Sequence, residues 1–136
     1  MKRTVLIAAL VVSTALLAIA AAALTAGSGQ APPEARRTVP APIDGLEVVM
    51  RESAPPQVSL KITAGLPSGC AQKHSHQLTR SGNTFTVTVL NSMPTGDQVC
   101  TMIYGSYELT VDLGSDFAPG QTYTVQVNDK TTSFRT

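Results

Sequence analysis

Two histidines on one predicted strand are the residues in this chain best placed to do chemistry. His74 and His76 are the only histidines among 136 residues, and one residue separates them. Side chains two apart on a β-strand project from the same face, about 6.6 Å apart along the chain. Two imidazoles at this spacing can converge on one Zn²⁺ or Cu²⁺ ion, and Met93 or Met102 would be a soft third ligand for copper.

The metal pattern is incomplete, and a second interpretation stays open. The chain has no third histidine, and no acidic residue lies within the same strand. The segment 73–77 (Lys-His-Ser-His-Gln) is polar throughout. Polar side chains of this kind are typical of an exposed edge strand, where they oppose aggregation. The sequence therefore allows either a metal pair or a polar edge at His74 and His76.

The two cysteines, Cys70 and Cys100, predict a disulfide. An even number of cysteines in an exported domain favours an oxidised pair over a redox or metal-binding pair. Each begins a predicted strand, two strands apart, so both lie at one end of the domain. In one sheet those strands would be about 9.6 Å apart, whereas a disulfide needs Cα atoms within about 7 Å. We expect the later strand to cross to a second sheet, or its start to bend inward.

No catalytic group emerges from the rest of the sequence. The serines lie outside any nucleophile motif, and the carboxylates are scattered singly instead of paired as in glycoside hydrolases. Asp112, Asp116 and Asp129 could share a Ca²⁺ ion, although aspartate is also typical of turns. The sequence thus predicts a protein that is not an enzyme, with no catalytic residues and no cofactor.

The N-terminus has the pattern of a targeting segment. Two basic residues, Lys2 and Arg3, precede an uncharged apolar run, Thr4–Leu24, and small residues follow. This order is that of a secretory signal, and the run is also long enough to span a bilayer. We predict a signal peptide or an N-terminal membrane anchor over 1–26, and a secreted or extracytoplasmic protein. A proline-rich, extended linker is predicted over 27–42.

The remainder, 43–136, is predicted to be all-β. Apolar and polar residues alternate in short runs, and glycine, proline, asparagine and aspartate interrupt them about every ten residues. The clearest strand is 83–90, in which Phe85, Val87 and Val89 face one way and threonines the other. We expect the strand to end there and a loop to occupy 91–98. About seven such strands indicate a two-layer Greek-key sandwich.

One phrase near the C-terminus carries a resemblance. The segment 117–128 (FAPGQTYTVQVN) is similar to bacterial immunoglobulin-like domains, where a Pro-Gly turn leads into a Tyr-Thr-Val strand. The segments 65–70, 99–105 and 113–117 extend the likeness to a family of small exported bacterial proteins without an assigned activity. The resemblance covers roughly 43–129. It implies an immunoglobulin-like β-sandwich and carries over no catalytic residue.

Charge and composition narrow the function further. Without Lys2 and Arg3, eight basic residues face nine acidic ones, a net charge of −1 that does not favour nucleic acid. We predict a monomer that contacts membrane only through an uncleaved N-terminal segment. The expected role is noncatalytic protein interaction or adhesion. The alternatives are metal binding through His74 and His76, or a secreted protease-inhibitor scaffold that acts through a loop such as 92–98.

Overall fold

The computed structural model describes residues 34–136, and the predicted signal or anchor segment lies outside them. Every regular element of this region is a β-strand, as the alternating pattern predicts. None of the described residues forms a helix that could cross a membrane. The strands are β1 Arg36–Pro40, β2 Ile43–Arg51, β3 Gln57–Leu66, β4 Gln72–Ser81, β5 Thr84–Pro94, β6 Gly105–Gly114, β7 Thr122–Val127 and β8 Lys130–Arg135.

The strands form two sheets. The smaller sheet has the order β2-β3-β6, and all its pairs are antiparallel. In the larger sheet, the central strand β5 pairs with β4 along one side. Its other side is shared: Thr84–Val87 pair in parallel with β7, and Leu90–Pro94 pair antiparallel with β1. The strand β8 completes this sheet beside β7.

The core lies between the two sheets and follows the period-two pattern of the sequence. Phe85, Val87 and Val89 on β5 are almost fully buried, and the threonines between them are exposed. Alternation places branched side chains on one face of each strand, where they pack on the pleated surface opposite. The remaining core residues are Ala41, Ile43, Val58, Leu60, Ile62, Ala64, Leu109, Val111, Leu113, Tyr123, Val125, Val127 and Phe134.

The first strand corrects the predicted linker. Residues 36–40 form β1 instead of a solvated tether, and Ala41 is buried in the core. Five residues are too few to reveal alternation, and their partners on β5 lie at least fifty positions away. The described β-sandwich therefore begins before residue 43, where the sequence predicted its start.

The second correction concerns β5, which runs to Pro94 instead of ending at Leu90. Asn91 and Ser92, predicted to lie in a loop, are 0% and 7% exposed. Pairing with β1 extends the strand, so the connection to β6 starts at Thr95. The following strand begins at Gly105, later than the predicted start near Val99.

Asn128 fills the gap on β5 between the ends of β7 and β1, which pair with Val87 and Leu90. Its side-chain oxygen accepts a hydrogen bond from the Val89 N–H at 2.9 Å. Its amide nitrogen donates to the carbonyls of Ala41 and Val89 at 2.8 and 2.9 Å. The amide group thus takes the place of a peptide unit in the ladder. Its φ of +47° lies in the left-handed region, which asparagine tolerates better than most residues.

An aromatic cluster closes the end of the sandwich that holds the β4–β5 hairpin. Phe85, Phe117, Tyr123 and Phe134 have ring centroids 5.0–6.4 Å apart. The guanidinium of Arg80 lies 4.9 Å from the Phe85 centroid and donates a hydrogen bond to the Asp116 carbonyl at 2.9 Å. This end is therefore covered by a cation stacked on packed rings.

Candidate functional site

The connection between β5 and β6 exposes a run of apolar side chains at the opposite end of β5. We call Val99–Tyr104 the apolar loop. Val99 is 102% exposed, Met102 88%, Ile103 71% and Tyr104 53%, whereas the other exposed large hydrophobic residues of the described region reach only 44%. Contiguous exposed apolar residues of this kind are typical of an interaction surface.

A disulfide between Cys70 and Cys100 holds this loop, with the two Cα atoms 5.5 Å apart. Cys70 lies in the connection from β3 to β4, and Cys100 in the connection from β5 to β6. Both connections pass between the two sheets, so the bond ties one crossing to the other. The expected crossing of the later strand is present. However, both cysteines precede their strands instead of beginning them.

Two glycines receive side chains from the apolar loop. The Thr101 hydroxyl packs so closely on Gly69 that a Cβ there would overlap it, and the Thr101 carbonyl accepts a hydrogen bond from the Gly69 N–H at 2.9 Å. In the same way, the Tyr104 hydroxyl covers Gly65, and a Cβ at Gly65 would overlap that hydroxyl. The loop is therefore fitted to the end of β3 at Gly65 and to the β3–β4 connection at Gly69, beside the disulfide.

Tyr104 is also bonded to Asp44 on β2. Its hydroxyl lies 2.8 and 3.0 Å from the two carboxylate oxygens, to which it donates. This hydrogen bond, with smaller contributions from desolvation and the carboxylate charge, raises the pKa of Tyr104 above its ordinary value of 10.0. The interaction fixes the C-terminal end of the apolar loop as long as the phenol is protonated.

The base of the loop is braced from β1. The Arg36 guanidinium donates to the Cys70 carbonyl at 2.7 Å, and to the Ser92 hydroxyl and carbonyl at 3.0 Å. The Thr95 N–H donates to the Ala35 carbonyl, also at 3.0 Å. The N-terminal strand thus supports the disulfide and the start of the β5–β6 connection, where the sequence predicted a tether.

A polar pair formed by the buried Asn91 and the half-buried Tyr107 lies at the same end of the molecule. The Asn91 side chain donates to the Gly65 carbonyl at 2.8 Å and accepts from the Tyr107 hydroxyl at 2.8 Å. Desolvation raises the pKa of Tyr107. Since Asn91 is on β5 and Tyr107 on β6, the pair joins the two sheets next to Gly65, on which the Tyr104 hydroxyl packs.

Together these contacts divide the apolar loop into held and free side chains. Cys100, Thr101 and Tyr104 are held against the domain, whereas Val99, Met102 and Ile103 project into solvent. A loop ordered before binding loses less entropy on association. The arrangement can therefore present Met102 and Ile103 in a fixed position.

The two histidines occupy exposed positions on the edge strand β4. The pairing register of β4 with β5 shifts between Lys73 and Ser75, so a bulge interrupts the regular alternation at His74. His74 Nδ1 lies 2.8 Å from the Ser75 hydroxyl. Among residues 34–136, no three His, Cys, Asp or Glu side chains form a group suited to a metal ion. Metal binding by His74 and His76 stays a prediction.

The other proposed ligands lie on separate elements. Met93 is half-buried on β5, and Met102 belongs to the apolar loop. Asp112 is on β6, where its carboxylate accepts a hydrogen bond from the Gly114 N–H at 2.9 Å. Asp116 follows that strand, and Asp129 lies in the turn between β7 and β8.

The sequence interpretation missed the apolar loop because it assigned the segment to a strand. The proposed inhibitory segment, 92–98, overlaps β5, and Ser92 is buried. The missed signal is the order of the residues: Met102, Ile103 and Tyr104 are consecutive, so they cannot all face the core of a strand. Such a run without alternation is compatible with a loop.

Comparison with known proteins gives a family but no activity. The family model described as the ORF11 beta-sandwich domain matches residues 60–136. An uncharacterized 10.2 kDa protein in the HgiCIIM 5′ region of Herpetosiphon aurantiacus is 31% identical over 87 residues, which cover 64% of this chain and 90% of the relative. Those in the HgiBIM and HgiEIM 5′ regions are each 34% identical over 77 residues, covering 57% of this chain and 92% of the relative. No solved structure matches the chain.

Proposed function

We propose, since the chain belongs to the ORF11 beta-sandwich domain family, that it is an exported, noncatalytic module that binds another protein through the apolar loop. The observation that carries this proposal is the exposure of Met102 and Ile103 between fixed points at Cys100 and Tyr104. Exposed apolar side chains on an ordered support are typical of protein interaction sites.

The chemistry of the apolar loop supports binding over catalysis. Its side chains are aliphatic or sulfur-containing, apart from the hydroxyls of Thr101 and Tyr104. Thr101 packs on Gly69, and Tyr104 is bonded to Asp44. Asp44 raises the pKa of Tyr104, whereas an activated nucleophile has a lowered pKa.

Export is supported by the signal-like pattern over 1–26 and by the disulfide, since disulfides persist in oxidising compartments. The crossings between sheets before β4 and before β6 support a Greek-key arrangement of the immunoglobulin type. In that architecture, loops at one end of a rigid sandwich form the binding surface.

A paired substitution tests this function. Met102→Ser with Ile103→Ser removes two of the three apolar side chains that are free in the loop, and Val49→Ser with Met50→Ser makes a similar change on β2 as a control. Each protein, immobilised at equal density, is used to capture proteins from the extracellular fraction of its own source. We expect the loop variant to lose at least about tenfold of the specific capture, and the control to retain it. Equal capture by the loop variant and the unmodified protein would contradict the proposal.

A further inference from the structure

The contacts of the apolar loop leave two adjacent residues free between two anchored segments. On the N-terminal side, Cys100 is in the disulfide, and Thr101 is bonded to Gly69. On the C-terminal side, Tyr104 is bonded to Asp44. The peptide bond that joins Met102 to Ile103 is therefore exposed, flanked by apolar side chains and held from both sides.

We propose that the apolar loop is the reactive segment of an inhibitor of extracytoplasmic serine endopeptidases with an apolar specificity pocket. This inference rests on the proposed function and names the class of the bound protein. An endopeptidase receives one side chain in its specificity pocket and binds the adjoining chain on both sides of the scissile bond. Met102 is flexible, apolar and 88% exposed, so it can fill such a pocket.

The same contacts explain why the loop would inhibit the enzyme instead of being consumed. The serine hydroxyl of the protease would attack the Met102 carbonyl carbon, and its proton would pass through the enzyme's base to the Ile103 nitrogen as the peptide bond breaks. In an open substrate the new amine diffuses away, and water then hydrolyses the acyl-enzyme. Here the new amine stays close because Tyr104, the residue after Ile103, is bonded to Asp44. The acyl segment stays close because Cys100 is held by the disulfide.

Because both new ends stay in place, the Ile103 amine can attack the acyl carbon again. That step re-forms the peptide bond, returns the proton to the serine oxygen and frees the enzyme's nucleophile. Reactions between groups held in position have effective concentrations far above those of free reactants. Re-formation of the bond would therefore outpace hydrolysis, and the complex would persist.

The test uses the full, oxidised chain with chymotrypsin and subtilisin as enzymes with apolar specificity, and trypsin as an enzyme that requires a basic residue. We expect inhibition of chymotrypsin or subtilisin with a dissociation constant below about 1 µM. Cleavage of the Met102–Ile103 bond should be about a thousandfold slower than in a linear peptide of residues 97–106 with serine at position 100. Mass spectrometry locates and times the cut.

Two variants separate a reactive segment from a merely exposed one. Met102→Lys should transfer inhibition to trypsin, while Met50→Lys, an equally charged change on β2, should not. Cys70→Ser combined with Cys100→Ser should turn the loop into an ordinary substrate that is cut at the peptide's rate.

The inference is overturned if neither chymotrypsin nor subtilisin is inhibited, if the intact loop is cut as fast as the peptide, or if Met102→Lys fails to inhibit trypsin. If any of these results is found, but the variant with Met102→Ser and Ile103→Ser no longer captures its extracellular partner, the proposed function stands and only the inhibitor inference fails. If that variant keeps both protein capture and protease inhibition, both the proposed function and the inference are wrong.

Discussion

Substitutions of Asn128 should separate the contribution of its side chain from that of its backbone conformation. Removing the side chain leaves the Val89 N–H and the Ala41 carbonyl without their partners, whereas the Val89 carbonyl still accepts from the Ala41 N–H at 2.9 Å. At about 1–1.5 kcal/mol for each unpaired, partly buried group, Asn128→Gly should lower the free energy of unfolding by about 2–3 kcal/mol. Glycine adopts a φ of +47° without steric cost.

Asn128→Ala loses the same hydrogen bonds and also places a Cβ in the left-handed region, which adds about 1 kcal/mol. Asn128→Asp keeps the acceptor for Val89 but turns a carboxylate oxygen toward two carbonyls. We therefore expect the aspartate variant to recover stability when its carboxyl is protonated and can donate. At pH 7 the unmodified protein should have the highest free energy of unfolding, Asn128→Gly a lower one and Asn128→Ala the lowest of the three.

Urea unfolding followed by circular dichroism measures these differences, with the slope against urea concentration serving as a check on the two-state assumption. Asp129→Ala, a change at the exposed neighbour in the same turn, is the control and should alter stability by less than about 0.5 kcal/mol. If Asn128→Gly is as stable as the unmodified protein, the amide does not take part in the ladder. If glycine and alanine are equal, the positive φ carries no cost.

Three further predictions concern the two ends of the sandwich. Replacing Cys70 and Cys100 together by serine should lower the free energy of unfolding by about 3.6 kcal/mol, because the bond closes a separation of 30 residues; urea unfolding of the oxidised and double-serine proteins checks this, and equal midpoints would contradict it. The raised pKa of Tyr104 means that the folded state holds its phenolic proton more tightly than the unfolded state, so this stabilisation is complete below pH 10 and is lost as the pH rises through the higher folded value; Tyr104→Phe should remove that alkaline loss and one late-titrating component of the ultraviolet tyrosine titration, and an unchanged titration would refute the assignment. Arg80→Met should cost about 1–2 kcal/mol through the lost stacking and hydrogen bonds, with a midpoint equal to that of the unmodified protein as the contrary result.

The predictable part of the fold is that in which local alternation matches burial. The alternation of Phe85, Val87 and Val89 with threonines predicts a half-buried strand, and these three side chains are buried. Strand spacing in a sheet also predicted that the strand after Cys100 crosses to a second sheet or bends inward, and β6 lies in the second sheet. Both arguments use distances that elementary strand geometry fixes.

The unpredicted parts depend on distant partners. In the sequence, residues 36–40 have the composition of a linker, and they form a strand because they pair with β5. Asn91 is a residue type typical of turns, and its burial depends on hydrogen bonds with Gly65 and Tyr107. The lack of alternation over Met102–Tyr104 was a local sign of the apolar loop, but its fixed position depends on the contacts of Tyr104 and Thr101 with Gly65 and Gly69, which lie more than thirty residues earlier. The family comparison adds the name of the domain but no site.

The shared side of β5 has a consequence for the order in which this protein folds. In the larger sheet, the central strand β5 pairs on this side with β1, the first strand of the described region, and with β7, the penultimate one. Asn128, which follows β7, is hydrogen-bonded to Ala41, which follows β1 and lies 87 residues earlier. This side of β5 therefore cannot be fully paired until both β1 and β7 are present. Contacts so distant in sequence slow folding, so completion of this sheet should be a slow step.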